Sequence, residues 1–254
     1  MNDSAQISRE RALETVFLDR DGILNEKRPE GHYVTSWSEF NLLPEVPEAI
    51  ARLNLAGLRV VVVSNQRCVA LGLCTAADVD AVHSAFQNLL SSRGAHVDGF
   101  FFCPHDKLQC NCRKPLPGLY EQAVARFPKI AAETSAMIGD SLSDIEFGRR
   151  LGMLTVFIDC DPDRQKPGSQ SAGEMAKLRF SSFAEAVDYL PVERVEGFFW
   201  RGLDVAAVVD YSYSWAGHLS CLPDVVTDGG KLSKPLHICA HVYVSATRLR
   251  YPVN

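Results

Sequence analysis

The segment most informative about the fold reads Phe17-Leu18-Asp19-Arg20-Asp21-Gly22-Ile23-Leu24-Asn25. With the preceding residue, its first positions form an apolar run that is typical of a buried parallel strand. Asp19 and Asp21 follow where this strand ends, and Gly22 lets the chain turn away at once. Open α/β sheets bind ligands at the ends of their strands, and two carboxylates this close repel unless a cation or a proton separates them. On this segment alone, a ligand site and a plain Asx-rich turn are equally open interpretations.

Composition limits the class of protein. The chain has 254 residues, of which 46% are hydrophobic and 22% are charged, and its formal net charge is −5. These values are typical of one α/β domain plus an appendage, and no basic patch indicates nucleic-acid binding. No apolar run approaches the roughly 20 residues of a membrane span, and residues 1–11 lack the apolar core of a secretory signal. The 8 cysteines are too scattered for a disulfide framework, so we expect a reducing, cytoplasmic setting.

Strand-like and helix-like apolar patterns alternate from about residue 14 to residue 190. This alternation predicts an α/β protein in which helices cover both faces of a parallel sheet. We therefore predict one domain over residues 12–191 and a C-terminal extension of unknown role over residues 192–254. Within the domain, residues 161–173 read as a loop, because they are rich in proline, glycine, serine and charge.

Four predicted strands end in polar residues, and together these ends suggest a phosphate-transfer site. The four groups are Asp19 with Asp21, Ser64-Asn65-Gln66, Arg113-Lys114, and Asp140 with Asp144. A hydroxyl with free backbone N–H groups can hold phosphate oxygens, and a pair of cations can neutralise them. Each group alone is more simply explained as a strand end, a solvated lysine or a charge at a helix N-terminus. Their succession, each behind its own strand, favours the site.

In these four motifs the chain resembles the haloacid dehalogenase (HAD) superfamily of phosphohydrolases, over about residues 15–190. The resemblance implies a Rossmann-like three-layer α/β/α fold without a large cap domain, and a Mg²⁺-dependent phosphatase that forms an aspartyl-phosphate. It implies Asp19 as the nucleophile and Asp21 as general acid and base, which requires a raised pKa for Asp21. Ser64 and Lys114 would hold the phosphoryl oxygens. The implied Mg²⁺ ligands are Asp19, Asp140 and the backbone carbonyl of Asp21, with Asp144 nearby or behind them.

A second motif places three thiols and an imidazole within ten residues, namely Cys103, His105, Cys110 and Cys112. This donor set suits tetrahedral Zn²⁺, and two close pairs can fold a loop around one ion. Four protein ligands leave no open position for a substrate, so we expect a structural zinc. The motif stands directly before the Arg113-Lys114 pair, so the metal would brace the loop that carries both cations. The alternative is a set of buried or merely free thiols with a surface histidine.

The zinc motif and the Arg-Lys-Pro after it narrow the resemblance to two families, the D-glycero-D-manno-heptose 1,7-bisphosphate 7-phosphatases and the histidinol-phosphatase domains. Residues 115–119 and the segment Gly31-His32-Tyr33-Val34 are more similar to the heptose family. The resemblance thus implies removal of the 7-phosphate from a heptose bisphosphate, with histidinol phosphate as the alternative substrate. Arg113 would contact the sugar or its second phosphate, while plain loop packing remains open for Tyr33. The implied substrate contacts are Arg20, Gly22, Tyr33, Asn65, Gln66, Arg67 and Arg113.

Several positions depart from the pattern of these families. Arg67-Cys68 stands where a small residue and a glycine are common, so Arg67 either alters substrate contacts or binds a distal phosphate. Ser141 stands where the heptose family usually has lysine. These departures bear on the identity of the substrate and not on the reaction. We expect a monomer that acts on a small sugar phosphate, and a catalytically idle scaffold is the alternative from a different class.

The segment after residue 192 resembles nothing in these phosphatases. Residues 203–209 and 237–244 could form strands. His237, Cys239 and His241 could suggest a second metal site, but on a strand they share one face, and packing is the favoured interpretation.

Overall fold

The computed structural model describes residues 12–159 and 167–190. In this part of the chain, six strands form one parallel sheet. The strands are Thr15–Leu18 (β1), Arg59–Asn65 (β2), Gly99–Cys103 (β3), Ser135–Gly139 (β4), Leu154–Ile158 (β5) and Leu178–Phe180 (β6). Their order is β3-β2-β1-β4-β5-β6, so β1 lies between β2 and β4. The predicted parallel α/β architecture is confirmed.

Six α-helices accompany these strands in the described residues. They are Val46–Leu55 (α1), Ala76–Ser91 (α2), Gly118–Arg126 (α3), Leu142–Leu151 (α4), Ser169–Met175 (α5) and Phe183–Tyr189 (α6). Two short 3-10 helices, Trp37–Glu39 and Ala132–Thr134, precede α1 and β4. None of the described connections between strands contains an inserted cap domain, as predicted.

The central strand β1 separates two hydrophobic cores, one on each face of the sheet. On one face, Val16 and Leu18 pack with residues of α1, α2 and α6. On the other face, Phe17 packs with Leu119 of α3 and Phe147 of α4. No residue of β1 is more than 1% exposed, which explains its continuous apolar sequence. Burying each large apolar side chain contributes about 1.5–3 kcal/mol, so the strand that precedes Asp19 is firmly anchored.

Local sequence signals explain where α2 and α4 begin and end. In the capping box of α2, the Asp78 N–H donates to Thr75 Oγ1 at 3.2 Å and the Thr75 N–H donates to Asp78 Oδ2 at 2.8 Å. Gly152 follows α4 with a φ of 80°, a left-handed conformation that glycine adopts without strain. Because α4 begins three residues after β4 ends, residues 140–144 are held at the edge of the sheet.

One expectation about the domain is wrong. Residues 161–173 are not one loop, because α5 begins at Ser169, and β6 is a further strand that the periodicity does not predict. The buried positions of α5 are Ser169 and Ala172, so the helix lacks the apolar stripe that predicts one. The predicted tail strands and the His237, Cys239 and His241 group lie outside the described residues. No described helix is long and apolar enough to cross a membrane.

Candidate active site

The strand order reverses at the centre of the sheet, between β1 and β4. In open α/β sheets this switch point is where ligands bind. The two strands run in register with Leu18 opposite Ile138, and the Asp19 N–H donates to Ile138 O at 3.0 Å. Asp19 and Asp140 therefore stand side by side at the ends of neighbouring strands.

Three buried carboxylates meet at this point, those of Asp19, Asp140 and Asp144. One oxygen of each lies within 4.8 Å of the other two. Burial and the neighbouring Asp144 raise the pKa of Asp19 to about 6, although Lys114 acts in the opposite direction. Clustered carboxylate oxygens are the ligands that hard divalent cations prefer, so these residues fit a magnesium ion. Asp144 was expected nearby or behind the ligands, and its carboxylate is a member of the cluster itself.

Lys114 links two members of this cluster. Its Nζ donates to Asp19 Oδ1 at 2.8 Å and lies 2.6 Å from Asp144 Oδ1. The same ammonium donates to Val63 O at 2.6 Å. Burial acts to lower the pKa of Lys114, but Asp144 and Asp19 together raise it above its ordinary value. The ammonium therefore stays charged and neutralises part of the cluster.

Asn65 fixes the main chain of Lys114 at the site. The Lys114 N–H donates to Asn65 Oδ1 at 3.0 Å, and Asn65 Nδ2 donates to Lys114 O at 3.1 Å. Asn65 is the last residue of β2, so this reciprocal pair ties the loop of Lys114 to the sheet. We predicted Asn65 as a substrate contact, whereas the structure uses its side chain to position Lys114.

Asp21 lies beside the cluster and has different partners. Its Oδ1 accepts hydrogen bonds from Arg20 Nη2 and Asn25 Nδ2, and its Oδ2 accepts one from Gln66 Nε2, each at 3.0 Å. Burial raises the pKa of Asp21, but the Arg20 charge and these hydrogen bonds outweigh it and hold the pKa at about 2. The raised pKa expected of a proton donor is not found in this arrangement. Arg20 is only 1% exposed and bonds Asp21, and its predicted contact with substrate stays a prediction.

Gln66, Ser64 and Gly22 complete the immediate surroundings. Gln66 Nε2 also donates to Ser64 Oγ at 2.7 Å, and both residues are buried. Gly22 has a φ of 101°, and a Cβ atom there would overlap the carboxylate of Asp140. The structure thus gives Gly22, predicted as a substrate contact, a steric reason for its place, because only glycine lets the turn pass so close to Asp140.

Lys27 is a residue of the site that the motifs did not indicate. Its Nζ contacts Asp140 Oδ2, and both side chains are buried. The two residues are 113 positions apart, so no local pattern links them. The only available signal was a lysine shortly after the first motif, which resembles an ordinary surface charge. Asn25, whose Nδ2 donates to Asp21 Oδ1, stands only four residues after Asp21, but its residue type alone did not mark it as part of the site.

The two arginines predicted to contact substrate, Arg67 and Arg113, differ in their hydrogen-bond partners. Arg67 forms an ion pair with Asp106 of the zinc loop, with Nε 2.5 Å and Nη2 3.1 Å from its carboxylate oxygens. Arg67 also bonds the Tyr33 side chain. Arg113 is half-buried, and its Nη1 is buried without a hydrogen-bond partner in the described residues. Of these two cations, Arg113 is the one with a buried donor that lacks a partner in the described residues.

The four predicted zinc ligands form one cluster. Cys103 Sγ lies 3.7 Å from His105 Nδ1 and 3.5 Å from Cys110 Sγ. Cys112 Sγ lies 3.3 Å from His105 Nδ1 and 3.4 Å from Cys110 Sγ. Tetrahedral zinc with Zn–S bonds of about 2.3 Å requires donors about 3.8 Å apart, so this set fits a structural zinc site. Burial raises the pKa of Cys103 and Cys112, so their thiolates depend on a cation.

The zinc loop is anchored at both of its ends, at one to the end of β2 and at the other to the start of α3. Cys103 ends β3 opposite Asn65, and the Gln66 N–H donates to Cys103 O at 2.9 Å. At the other end, a Cβ atom at Gly118 would lie 2.8 Å from Asn111 O, so α3 begins in close contact with the loop. The loop is therefore fixed at both ends, and its bracing by zinc stays a prediction.

Comparisons with known proteins agree with this arrangement. A family model described as HAD-hydrolase-like matches residues 111–185. The chain is 38% identical, over 183 residues, to the D-glycero-alpha-D-manno-heptose-1,7-bisphosphate 7-phosphatase of Mycobacterium tuberculosis, a match that covers 70% of this chain and 94% of that protein. It is also 38% identical, over 141 residues, to the D-glycero-beta-D-manno-heptose-1,7-bisphosphate 7-phosphatase of Bordetella bronchiseptica, covering 55% of this chain and 77% of that protein.

Solved structures show the same relationship. The D,D-heptose 1,7-bisphosphate phosphatase of B. bronchiseptica, complexed with magnesium and phosphate, superposes with a TM-score of 0.61 at 30% identity. That match covers 69% of this chain and 97% of the B. bronchiseptica chain. A putative HAD-like phosphatase from Mesorhizobium loti superposes with a TM-score of 0.53 at 28% identity, covering 72% of this chain and 90% of its own.

Proposed function

The chain belongs to the heptose-1,7-bisphosphate 7-phosphatase family of HAD-like hydrolases, and we propose that it removes the 7-phosphate of a D-glycero-D-manno-heptose 1,7-bisphosphate. The observation that carries this proposal is the buried cluster of Asp19, Asp140 and Asp144, linked by Lys114 at the switch point of the sheet. Such a cluster can take up a cation and a phosphate together, and an ordinary turn would not bury three carboxylates.

We propose that magnesium binds Asp19, Asp140 and the main-chain carbonyl of Asp21, with Asp144 at the edge of the site. Magnesium prefers oxygen ligands, and the related B. bronchiseptica phosphatase was crystallised with magnesium and phosphate. The ion would neutralise the cluster and polarise a phosphoryl oxygen. The remaining steps belong to side chains of this chain.

Asp19 is the proposed nucleophile. One carboxylate oxygen attacks phosphorus while the bond from phosphorus to the sugar oxygen breaks, which leaves an aspartyl-phosphate. The Lys114 ammonium, 2.8 Å from Asp19 Oδ1, lies where negative charge accumulates during transfer. Ser64 Oγ would hold a second phosphoryl oxygen.

Asp21 is the proposed proton carrier. Its carboxyl group gives a proton to the departing sugar oxygen, and its carboxylate then takes a proton from the water that attacks the aspartyl-phosphate. The second half suits the observed state, because the low pKa keeps Asp21 ionised. The first half requires the protonated group to leave Arg20, since that cation favours the ionised form.

We assign the second phosphate of the substrate to Arg113. Its buried Nη1 has no partner in the described residues, and a charge-assisted bond to phosphate would satisfy it. Arg67 is already paired with Asp106 and bonded to Tyr33. We therefore propose that Arg67 and Tyr33 shape the substrate loop, while Gln66 acts on Asp21 more than on substrate.

The setting of the enzyme is part of the proposal. The described cysteines are all free thiols, and zinc binding by Cys103, Cys110 and Cys112 requires them to stay reduced. We therefore propose a cytoplasmic enzyme. Because one chain supplies the whole carboxylate cluster, we propose that it acts as a monomer, which sedimentation would test.

Kinetics on three substrates test the function. We expect Mg²⁺-dependent phosphate release from the heptose bisphosphate anomers with a higher kcat/KM than from histidinol phosphate. Lys114→Met should abolish release, whereas the matched variant Lys107→Met, at an exposed lysine of the zinc loop, should retain it. A higher kcat/KM for histidinol phosphate would overturn the substrate assignment. Absence of release from all three would favour the idle scaffold.

A further inference from the structure

Lys27 is a buried cation that has no role in the proposed reaction. Its side chain is 5% exposed, and its Nζ contacts Asp140 Oδ2, which belongs to a fully buried residue. The backbone beside it is fixed, because the Glu26 N–H donates to Asn41 O at 2.7 Å and Asn25 Nδ2 donates to Glu26 O at 2.9 Å. The contact with Asp140 is therefore built into the turn that follows Asp21.

Two lysines contact different carboxylates of the cluster. Lys114 reaches Asp19 and Asp144, while Lys27 reaches Asp140. Among the described residues, these contacts set two ammonium groups against three buried carboxylates. A buried carboxylate is costly without an opposite charge, so each lysine lowers the cost of burying its partners.

The two lysines differ in how firmly they are held. The Lys114 ammonium is also bound by Val63 O, and its main chain is clamped by Asn65. Lys114 is therefore held by groups outside the carboxylate cluster as well as by the cluster. Lys27 contacts the carboxylate that would ligate magnesium, and a lysine carries its charge on a flexible four-carbon stem.

We propose that Lys27 is a positioning residue that neutralises Asp140 in the metal-free enzyme and competes with magnesium for that carboxylate. This inference rests on the magnesium site of the proposed function. An ammonium beside the carboxylate that ligates magnesium repels the ion, so Lys27 opposes magnesium binding whether its side chain moves away or stays. Lys27 thereby weakens magnesium binding while it stabilises the metal-free fold.

Competition between Lys27 and magnesium predicts an unusual direction for the change in Mg²⁺ affinity. Removal of a residue from a metal site normally weakens metal binding, whereas removal of Lys27 should tighten it. Calorimetric titration of the full chain, with zinc bound, by Mg²⁺ alone measures this directly. We expect Lys27→Met to lower the Kd for Mg²⁺ by about tenfold or more, and Lys27→Gln, which keeps a hydrogen-bond donor without charge, to act in the same direction.

The matched control is Lys129→Met, which removes one positive charge from an exposed position and should change the Kd by less than about twofold. Thermal melting gives a second readout: metal-free Lys27→Met should melt below the wild type, and added Mg²⁺ should raise its melting temperature further than that of the wild type. If Lys27→Met cannot be purified, the Lys27→Gln titration decides.

Two results would overturn the inference, and they can be told apart. If the wild type binds Mg²⁺ and Asp140→Asn does not, but both Lys27 variants keep or weaken the wild-type Kd, the competition is wrong and the proposed site stands. If the wild type and Asp140→Asn both fail to bind Mg²⁺, the proposed metal site fails as well.

Discussion

The carboxylate cluster and the thiol–imidazole cluster are two donor sets of the same kind that the chain treats in opposite ways. In each, the donor atoms lie within 4.8 Å of one another. Lys114 and Lys27 hold the carboxylates, so that set can persist without metal. The thiols and imidazole instead contact one another. The carboxylate site, which must exchange ligands, has lysines that supply positive charge in the absence of metal. The thiol–imidazole site only shapes a loop, so the metal ion alone can supply the positive charge there.

The largest expected effect comes from the centre of the carboxylate cluster. Asp19→Asn removes the proposed nucleophile, so we expect kcat for phosphate release to fall by at least about 10⁴-fold. Zinc content should stay unchanged, which separates the two clusters. Asp80→Asn, at an exposed position, is the control and should retain activity. Substantial turnover by Asp19→Asn would mean that another group attacks phosphorus.

The next effect concerns the other cluster. Cys112→Ser removes one of four zinc ligands, so we expect loss of bound zinc by atomic absorption, a lower melting temperature and a kcat lower by about 10–100-fold. The reason is indirect, because the loop then positions Lys114 less well. Cys74→Ser, outside the cluster, should keep zinc and activity. Full activity in a zinc-free Cys112→Ser protein would show that the loop needs no brace.

The pKa of Asp19 predicts a pH-dependent difference in stability. Without magnesium its pKa is raised from 3.8 to about 6, so the folded state holds a proton that the unfolded state has lost between these values. Protonation of Asp19 stabilises the folded state. This stabilisation is fully present below pH 3.8 and is lost as the pH rises through 6. Magnesium-free Asp19→Asn should therefore exceed the wild type in free energy of unfolding by about 3 kcal/mol at pH 7.

Urea unfolding from pH 4 to pH 7.5 in magnesium-free buffer measures this gain. The advantage of Asp19→Asn should grow with pH and level off above pH 6. Asp80→Asn should show a constant offset from the wild type. A gain that shrinks as the pH rises would contradict the sign of the Asp19 shift.

A smaller effect tests the connection between the clusters. Asn65→Ala removes both hydrogen bonds to the main chain of Lys114, so we expect kcat to fall by about 10–100-fold with zinc retained. Asn88→Ala, at an exposed position of α2, is the control. If Asn65→Ala lost zinc as well, the clamp would be part of the zinc loop and not of the active site.

The smallest effect is expected at Arg67. Its ion pair with Asp106 is largely solvated, so Arg67→Ala should change the KM for the bisphosphate by about fivefold or less. Arg113→Ala should raise the same KM by about tenfold or more, because a buried donor would lose a charged partner. A larger increase in KM for Arg67→Ala than for Arg113→Ala would indicate that Arg67 binds the distal phosphate.

The chemistry of both clusters was accessible from sequence because each residue type stands at a strand end or in a short motif. Asp19 and Asp140 could be placed together because parallel strands end at one edge of the sheet. Lys114 lies in the loop that follows β3, eleven residues beyond Cys103, and was indicated by its motif. The zinc ligands could be predicted from the spacing of their residues alone. The strong apolar runs likewise predicted β1 to β5 and the longer helices.

The parts that escaped prediction depend on contacts between distant segments. Lys27 reaches Asp140 across 113 positions, and nothing in its neighbourhood distinguishes it from a solvated lysine. The pairing of Arg20 with its neighbour Asp21, which reverses the expected pKa shift, depends instead on the orientation of two side chains, which the sequence does not reveal. The helix α5 and the strand β6 are short and lack a periodic apolar face, so tertiary packing decides them.

The position of β1 has a consequence for the motions of the enzyme. This strand is bonded to β2 and β4 and is covered on both faces. Amide hydrogens of Phe17 and Leu18 should therefore exchange with solvent only when the whole domain unfolds. The strand that carries Asp19 should therefore stay fixed during local openings of the domain.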